Sequence, residues 1–225
     1  MIEPNLFPDS ARYCYVRTQP EYSDLLNYSQ LDPREQSLVS QAVDSRKAEF
    51  GDARWCAHQA LHELGSSVGE LILRGERGMP LWPRGFVGSM THTDGLRAAV
   101  VAPSREIRSM GLDAEPAEPL PENVLTMIAR AGELEQLGRL REAGVSCSDR
   151  LLFCAKEATY KAWFPLTHRW LDFDQAEIDL REDGTLIAYI LARPTPVPLI
   201  NGRWTIRDGY VIVSTVVPAI ADFAR

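Results

Sequence analysis

The chain has 225 residues, 45% of them hydrophobic and 24% charged, which is enough for one large domain or two small ones with real cores. A formal net charge of −7 argues against general nucleic-acid binding, and no apolar run is long enough to span a bilayer, so neither nucleic acid nor membrane is an expected partner. The cysteines at 14, 56, 147 and 154 lack metal-ligand spacing, and the first residues have no basic start and no apolar run. Both features read as reduced thiols in a cytoplasmic protein without a secretory signal.

Residues 1 to 30, with Pro4, Pro8 and Pro20 scattered among aromatics, read as irregular chain wrapping the surface. Leu31-Asp32-Pro33-Arg34-Glu35 opens a helix: Asp32 is the N-cap, Pro33 takes the first position and Glu35 completes a capping box. A second helix runs to Gly65 with Phe50, Ala53, Ala57, Leu61 and Leu64 as its buried stripe. Arg46 and Arg54 lie about 80° apart around it, as solvated surface or as a phosphate clamp. His58 and His62 have the spacing of two zinc ligands, but no third ligand accompanies them.

Glycine and proline mark residues 74 to 83 as a loop carrying Arg74 and Arg77. Phe86 to Thr91 and Leu96 to Ala102 read as a hairpin across Asp94-Gly95, with His92 at the turn between Thr91 and Thr93. Ile107 to Glu115 is the next strand. Asp113 and Glu115 sit two apart on it, so both carboxylates take one face. Either they are exposed edge acids or, joined by Glu157, they make an oxygen site suited to Mg²⁺.

Pro116 to Pro121 is the expected junction between halves. A helix follows over about 124 to 141, broken near Ala131-Gly132, and residues to Ser148 form a loop. Asp149 to Trp163 is the central helix, capped by Ser148 or Asp149 and stopped by Pro165. Leu151, Ala155, Ala158 and Ala162 form one face. Arg150, Cys154, Glu157 and Lys161 form the other, with Lys156 adding a second cation beside Glu157. A strand near Ala176 to Leu180, a Pro-rich linker at 193 to 198 and a hairpin across Asp208-Gly209 complete the chain.

The segments V-G-S-M-T-H-T, G-L-D-A-E-P and F-C-A-K-E-A-T-Y-K-A-W, in this order and at this separation, resemble the Sfp-type 4′-phosphopantetheinyl transferases. K-E-A-T-Y-K-A-W-F-P-L-T-H-R-W-L-D-F is similar to the actinobacterial branch beyond the core motif. Phe153 stands where the family often has Trp, and Thr91 where it often has Ser. The resemblance implies an α+β fold of two similar halves, residues 1–115 and 116–225, about a pseudo-twofold axis with coenzyme A in the cleft. A pseudo-dimer within one chain is expected to be a monomer. It further implies Asp113, Glu115 and Glu157 on Mg²⁺, with Mn²⁺ as the alternative ion, and Lys161 and Lys156 on phosphate oxygens. His92 (with Thr91 beside it), Arg46 and Arg54 would meet the 3′-phosphate end of coenzyme A. Arg74 and the loop from Gly75 through Met79 to Pro80 would lie along the nucleotide. The implied reaction moves the phosphopantetheine arm to a serine of an acyl or peptidyl carrier protein and releases 3′,5′-ADP, with Glu157 as general base, directly or through a metal-bound water. A metal-dependent pyrophosphate hydrolase using the same acids, and a silent coenzyme A binding module, are the rival readings.

Overall fold

A computed structural model describes residues 3–19 and 24–219, so Pro20 lies outside the described residues. The fold is mixed α+β. In chain order, a 3₁₀ turn (Pro4–Leu6) leads into β1 (Arg12–Arg17), α1 (Leu26–Gln30), α2 (Pro33–Ser37) and α3 (Asp44–Glu63). Then come β2 (Leu73–Arg74), β3 (Pro80–Leu81), β4 (Phe86–Thr93), β5 (Leu96–Pro103) and β6 (Ile107–Pro116). After these follow α4 (Val124–Ile128), α5 (Ala131–Glu142), α6 (Ser148–Thr167), β7 (Ala176–Leu180), β8 (Thr185–Ile190), β9 (Leu199–Arg207) and β10 (Tyr210–Pro218). The chain divides into two compact units: Pro8–Ser109 with the residues from Pro218, and Met110–Val217 with those up to Phe7.

In the first unit, an antiparallel sheet of order β1-β5-β4 is organised on β5, which is buried from Leu96 to Ala102. The hairpin pairs Thr93 with Leu96 across Asp94-Gly95, as the sequence predicts, although His92 sits on the strand rather than in the turn. Helix α3 covers this sheet through Cys56, Ala57, Ala60 and Leu61, packed with Ile72, Ala99 and Val101. Phe50, Ala53, Ala57 and Leu61 are buried as expected, while Leu64 is partly buried and caps the helix. The expectation of an irregular N-terminus is corrected at β1. Its R-Y-C-Y-V-R alternation turns Cys14 and Val16 onto the core cluster and pairs Arg12 with Val101 through Arg17 with Leu96.

Asp32 caps α2, accepting from Arg34 N at 2.9 Å, and Pro33 follows it. Glu35 does not close the box. Its carboxylate is 1% exposed, accepts the Ile72 amide at 2.7 Å and lies 2.9 Å from His58 Nε2. A buried amide without other partners outranks a solvated cap, so Glu35 ties α2 to α3 and to the segment before β2. Glu35→Ala is expected to lower unfolding free energy by about 1–3 kcal/mol, because the Ile72 N–H is left buried and unpaired. Urea denaturation measures this; an unchanged midpoint would count against it.

The second unit holds a five-stranded sheet of order β6-β10-β9-β8-β7. The strand β8 went unrecognised in the sequence. It starts after Gly184 and pairs antiparallel with β7 and β9. Helix α6 packs in this unit's core. Leu151, Ala155, Ala158 and Ala162 are each 0% exposed, in one cluster with Leu186, Ile200, Val211 and Val213. Two expectations for α6 are corrected. Its N-cap is Cys147, in the left-handed region and without a side-chain cap; Asp149 instead accepts the Leu120 amide, and Ser148 Oγ donates to Leu137 O. Pro165 does not stop the helix, because it falls in the last turn and removes one hydrogen bond; the helix ends at His168 in the left-handed region. Among the described residues, no helix is long and apolar enough to cross a membrane.

Candidate active site

Strand β6 and helix α6 carry the acids in the second unit. Asp113 is 5% exposed, and its Oδ1 accepts from Lys161 Nζ at 2.7 Å. Lys161 Nζ also donates to Leu112 O at 3.0 Å, so one ammonium ties the end of α6 to β6. Glu115 Oε2 accepts from Arg150 Nη1 at 3.2 Å. That guanidinium also donates to Glu118 O and Pro119 O, each at 3.0 Å, anchoring the chain that leaves β6.

Glu157 stands differently. Among the described residues no hydrogen bond or ion pair holds its carboxylate. Burial pushes its pKa up, and the neighbouring Asp113 charge adds to the shift, with Lys161 opposing it. Glu115 is also shifted up, first by burial and then by Asp113, while Arg150 and Lys161 oppose. The three carboxylates therefore sit in one another's field.

Their donor chemistry is all hard oxygen, which suits a magnesium-type cation and no soft metal. Their excess negative charge would also be relieved by one. As placed, Lys161 and Arg150 supply that relief on Asp113 and Glu115. Among the described residues, no three His, Cys, Asp or Glu side chains are positioned as a ready metal cluster.

Lys156 is not brought to this group. It is 3% exposed, and its ammonium donates to Glu133 Oε2 at 2.9 Å, Phe173 O at 2.7 Å and Ala176 O at 3.1 Å. All three donors of a lysine are thereby engaged. Beside Glu157 lies a cavity of about 170 Å³, lined by Tyr160, Trp170, Leu171 and Phe173 together with Glu157 and Lys156. Sequence reading missed its aromatic wall, although Tyr160 is one helical turn from Glu157 and Trp170 lies in the H-R-W-L-D-F stretch. It also gave no role to Arg150.

In the first unit, Arg46 and His92 come together. Arg46 Nη1 donates to Glu49 Oε2 at 3.1 Å and lies 2.6 Å from His92 Nε2. Arg97 joins them, 3.8 Å from the other Glu49 oxygen, and was not foreseen because it reads as an ordinary strand residue. Arg54 is 5% exposed, with its guanidinium 4.6 Å from the Phe50 ring centre and Nη1 3.4 Å from Met90 Sδ. Burial, with the nearby Arg74 charge, pulls its pKa down to about 10 against the pull of Glu35. Its Nε is buried without a hydrogen-bond partner among the described residues. Thr91 is buried on β4. Arg74 is exposed, beside a tight loop in which Gly75 N donates to Met79 O at 2.8 Å and Pro80 pairs with Arg74.

Paired acids and a lysine in one unit, and clustered arginines with a histidine in the other, are the equipment of an α+β enzyme acting on a phosphorylated substrate. Comparison with known families makes that class specific. Residues 34–102 match the 4′-phosphopantetheinyl transferase N-terminal domain, and residues 109–214 match the 4′-phosphopantetheinyl transferase superfamily. The chain is 44% identical over 211 residues to the 4′-phosphopantetheinyl transferase Npt of Nocardia iowensis, covering 86% of this chain and 94% of that protein. It is 42% identical over 205 residues to PptT of Mycobacterium tuberculosis, covering 87% and 89%. With Svp of Streptomyces mobaraensis it shares 44% over 208 residues, covering 88% and 82%. The chain belongs to the 4′-phosphopantetheinyl transferase family and is an enzyme of that class.

Proposed function

We propose that this enzyme transfers the 4′-phosphopantetheine arm of coenzyme A to a serine of an acyl or peptidyl carrier protein and releases 3′,5′-ADP. The observation that carries this reading is Glu157: an untethered carboxylate with raised proton affinity, beside an aromatic cavity and one turn from Lys161.

The carrier serine Oγ attacks the β-phosphorus of coenzyme A. A bond forms between Oγ and phosphorus, and the bond from phosphorus to the bridging oxygen breaks. Glu157 takes the serine proton, a role that suits a carboxylate whose burial raises its basicity. The leaving diphosphate oxygen gains charge, which Lys161 offsets while its contact with Asp113 Oδ1 fixes where the ammonium sits. Tyr160, Trp170 and Phe173 would pack against the pantetheine arm and exclude water that would otherwise compete with serine. Arg46, Arg54 and His92 would meet the 3′-phosphate, with Thr91 behind them. Arg74, Gly75, Met79 and Pro80 would border the nucleotide. A Mg²⁺ or Mn²⁺ ion held by Asp113, Glu115 and Glu157 would supply charge neutralisation at the diphosphate.

The test mixes enzyme, coenzyme A, Mg²⁺ and an apo-carrier protein and follows the carrier by intact-mass spectrometry. One phosphopantetheine arm on the carrier serine is expected. Chelation with EDTA is expected to abolish it, and added Mg²⁺ or Mn²⁺ to restore it. Loss of coenzyme A with an unmodified carrier would instead identify a hydrolase.

A further inference from the structure

The contact between β6 and α6 is unusually close at one point, and the residues that make it lie outside the acids and lysines. Gly111 is two residues before Asp113 on β6. A Cβ built there would overlap the Ala158 carbonyl oxygen and come within 2.8 Å of Thr215 Oγ1. Only glycine lets the strand lie against the helix backbone here. Ala158 is the residue after Glu157, so this approach is made at the turn that carries the free carboxylate.

Thr215, on β10 beside β6, holds the approach in place. It is 0% exposed, and its Oγ1 donates to Ala158 O at 2.8 Å. That carbonyl lies inside α6, where the helix already offers it an amide partner, so the threonine hydroxyl is an added bond from the sheet to the helix. Thr215 itself is seated by a second glycine: a Cβ on Gly202, its partner across β9, would come within 3.0 Å of Thr215 Cγ2. Two glycines thus make room for one buried threonine, Gly111 at its hydroxyl and Gly202 at its methyl, and that hydroxyl grips the carbonyl next to Glu157.

We propose that Thr215 is a positioning residue for transfer, setting the spacing between the Glu157–Lys161 turn of α6 and the Asp113–Glu115 end of β6. This rests on the transfer reading above. The physical case is one of distance. An oxygen at 2.8 Å from a carbonyl oxygen is a hydrogen bond, whereas a methyl carbon in the same place needs about 3.3 Å or more. Thr215→Val therefore removes the bond and pushes the helix backbone outward by about half an ångström. Thr215→Ala removes the bond without the push, and Thr215→Ser keeps the bond. Misplacement of reacting groups by an ångström costs on the order of 10²-fold in rate.

The test compares wild type with the three variants for kcat, coenzyme A KM and melting temperature. The expected result is kcat lowered about 10- to 100-fold in Thr215→Val, less in Thr215→Ala, and within about twofold of wild type in Thr215→Ser. KM should stay within about threefold throughout, since the contacts to the nucleotide are elsewhere. Wild-type kcat in Thr215→Val, or a kcat that follows melting temperature alone with no rescue by serine, overturns the proposal. If the wild type itself leaves the carrier unmodified, the transfer reading fails. The spacing claim is then judged on crystal structures of the Val and Ser variants: displacement of Glu157 and Lys161 from Asp113 in Val alone supports it, and unchanged spacing overturns it.

Discussion

Glu157→Gln is expected to lower the transfer rate by about 10²–10⁴-fold while leaving the fold and metal-free coenzyme A binding in place. The expectation rests on how differently the acids are held. Asp113 is buried and tied to Lys161, and Glu115 is tied to Arg150, so amides at either position would break an ion pair as well as alter chemistry. Glu157 has no such bond among the described residues, and an amide of the same shape takes its place without orphaning a partner. Folding even gains slightly from the change, because burial and the nearby Asp113 both penalise the Glu157 charge, with only Lys161 favouring it. The melting temperature of Glu157→Gln is therefore expected at or just above the wild-type value. Coenzyme A affinity without added metal, read by calorimetry, should change by less than about threefold, since a general base acts on the proton of the transition state rather than on the ground state. Near-normal turnover, read from intact-mass time courses, would remove Glu157 from the role of base. A large fall in melting temperature would show that the carboxylate is structural.

Much of the fold was legible because it rests on local chemistry. The Asp94-Gly95 and Asp208-Gly209 hairpins, the Asp32-Pro33 helix start and the small-residue face of α6 each depend on residues a few positions apart. What escaped notice depends on distant partners. Strand β1 sits among prolines and aromatics and becomes a strand only because β5 offers an edge to it. Glu35 matches a capping box by spacing, yet the Ile72 amide, distant in sequence, claims its carboxylate. The same division runs through the site. Asp113 and Glu115 share a face by strand period, and Glu157 and Lys161 share one by helix period, so the acids and the lysine were readable as candidates. Nothing local reveals that Arg150 holds Glu115, that Arg97 joins Arg46 and His92 around Glu49, or that Lys156 points its charge into the protein.

Lys156 makes the second large effect, and it falls on stability. The Lys156–Glu133 pair joins α6 to α5 with both side chains about 2% exposed or less. Glu133 also accepts the Ile178 amide and the Arg130 amide, each at 2.7 Å, so one carboxylate secures α5, β7 and α6 together. Such a pair is costly to desolvate but far costlier to break on one side. Glu133→Leu leaves the Lys156 ammonium with carbonyls alone and the Ile178 N–H unpaired. A loss of about 3–5 kcal/mol is expected, or roughly 6–20 °C in melting temperature. Adding Lys156→Met to it should recover part of that loss, because the double variant buries no charge. The pH dependence has a definite sign. Burial lowers the Lys156 pKa even with Glu133 present, and removing Glu133 lowers it further. Between that depressed value and the ordinary lysine value the unfolded chain binds more protons than the folded one, so stability rises with pH in that window. The deficit of Glu133→Leu should therefore shrink as pH is raised toward about 10, near the ordinary lysine value. A deficit that stays constant from neutral pH to that value would mean the ammonium is not what destabilises the variant. Intact stability in Glu133→Leu would free Lys156 for the phosphate contact that its place beside Glu157 first implied.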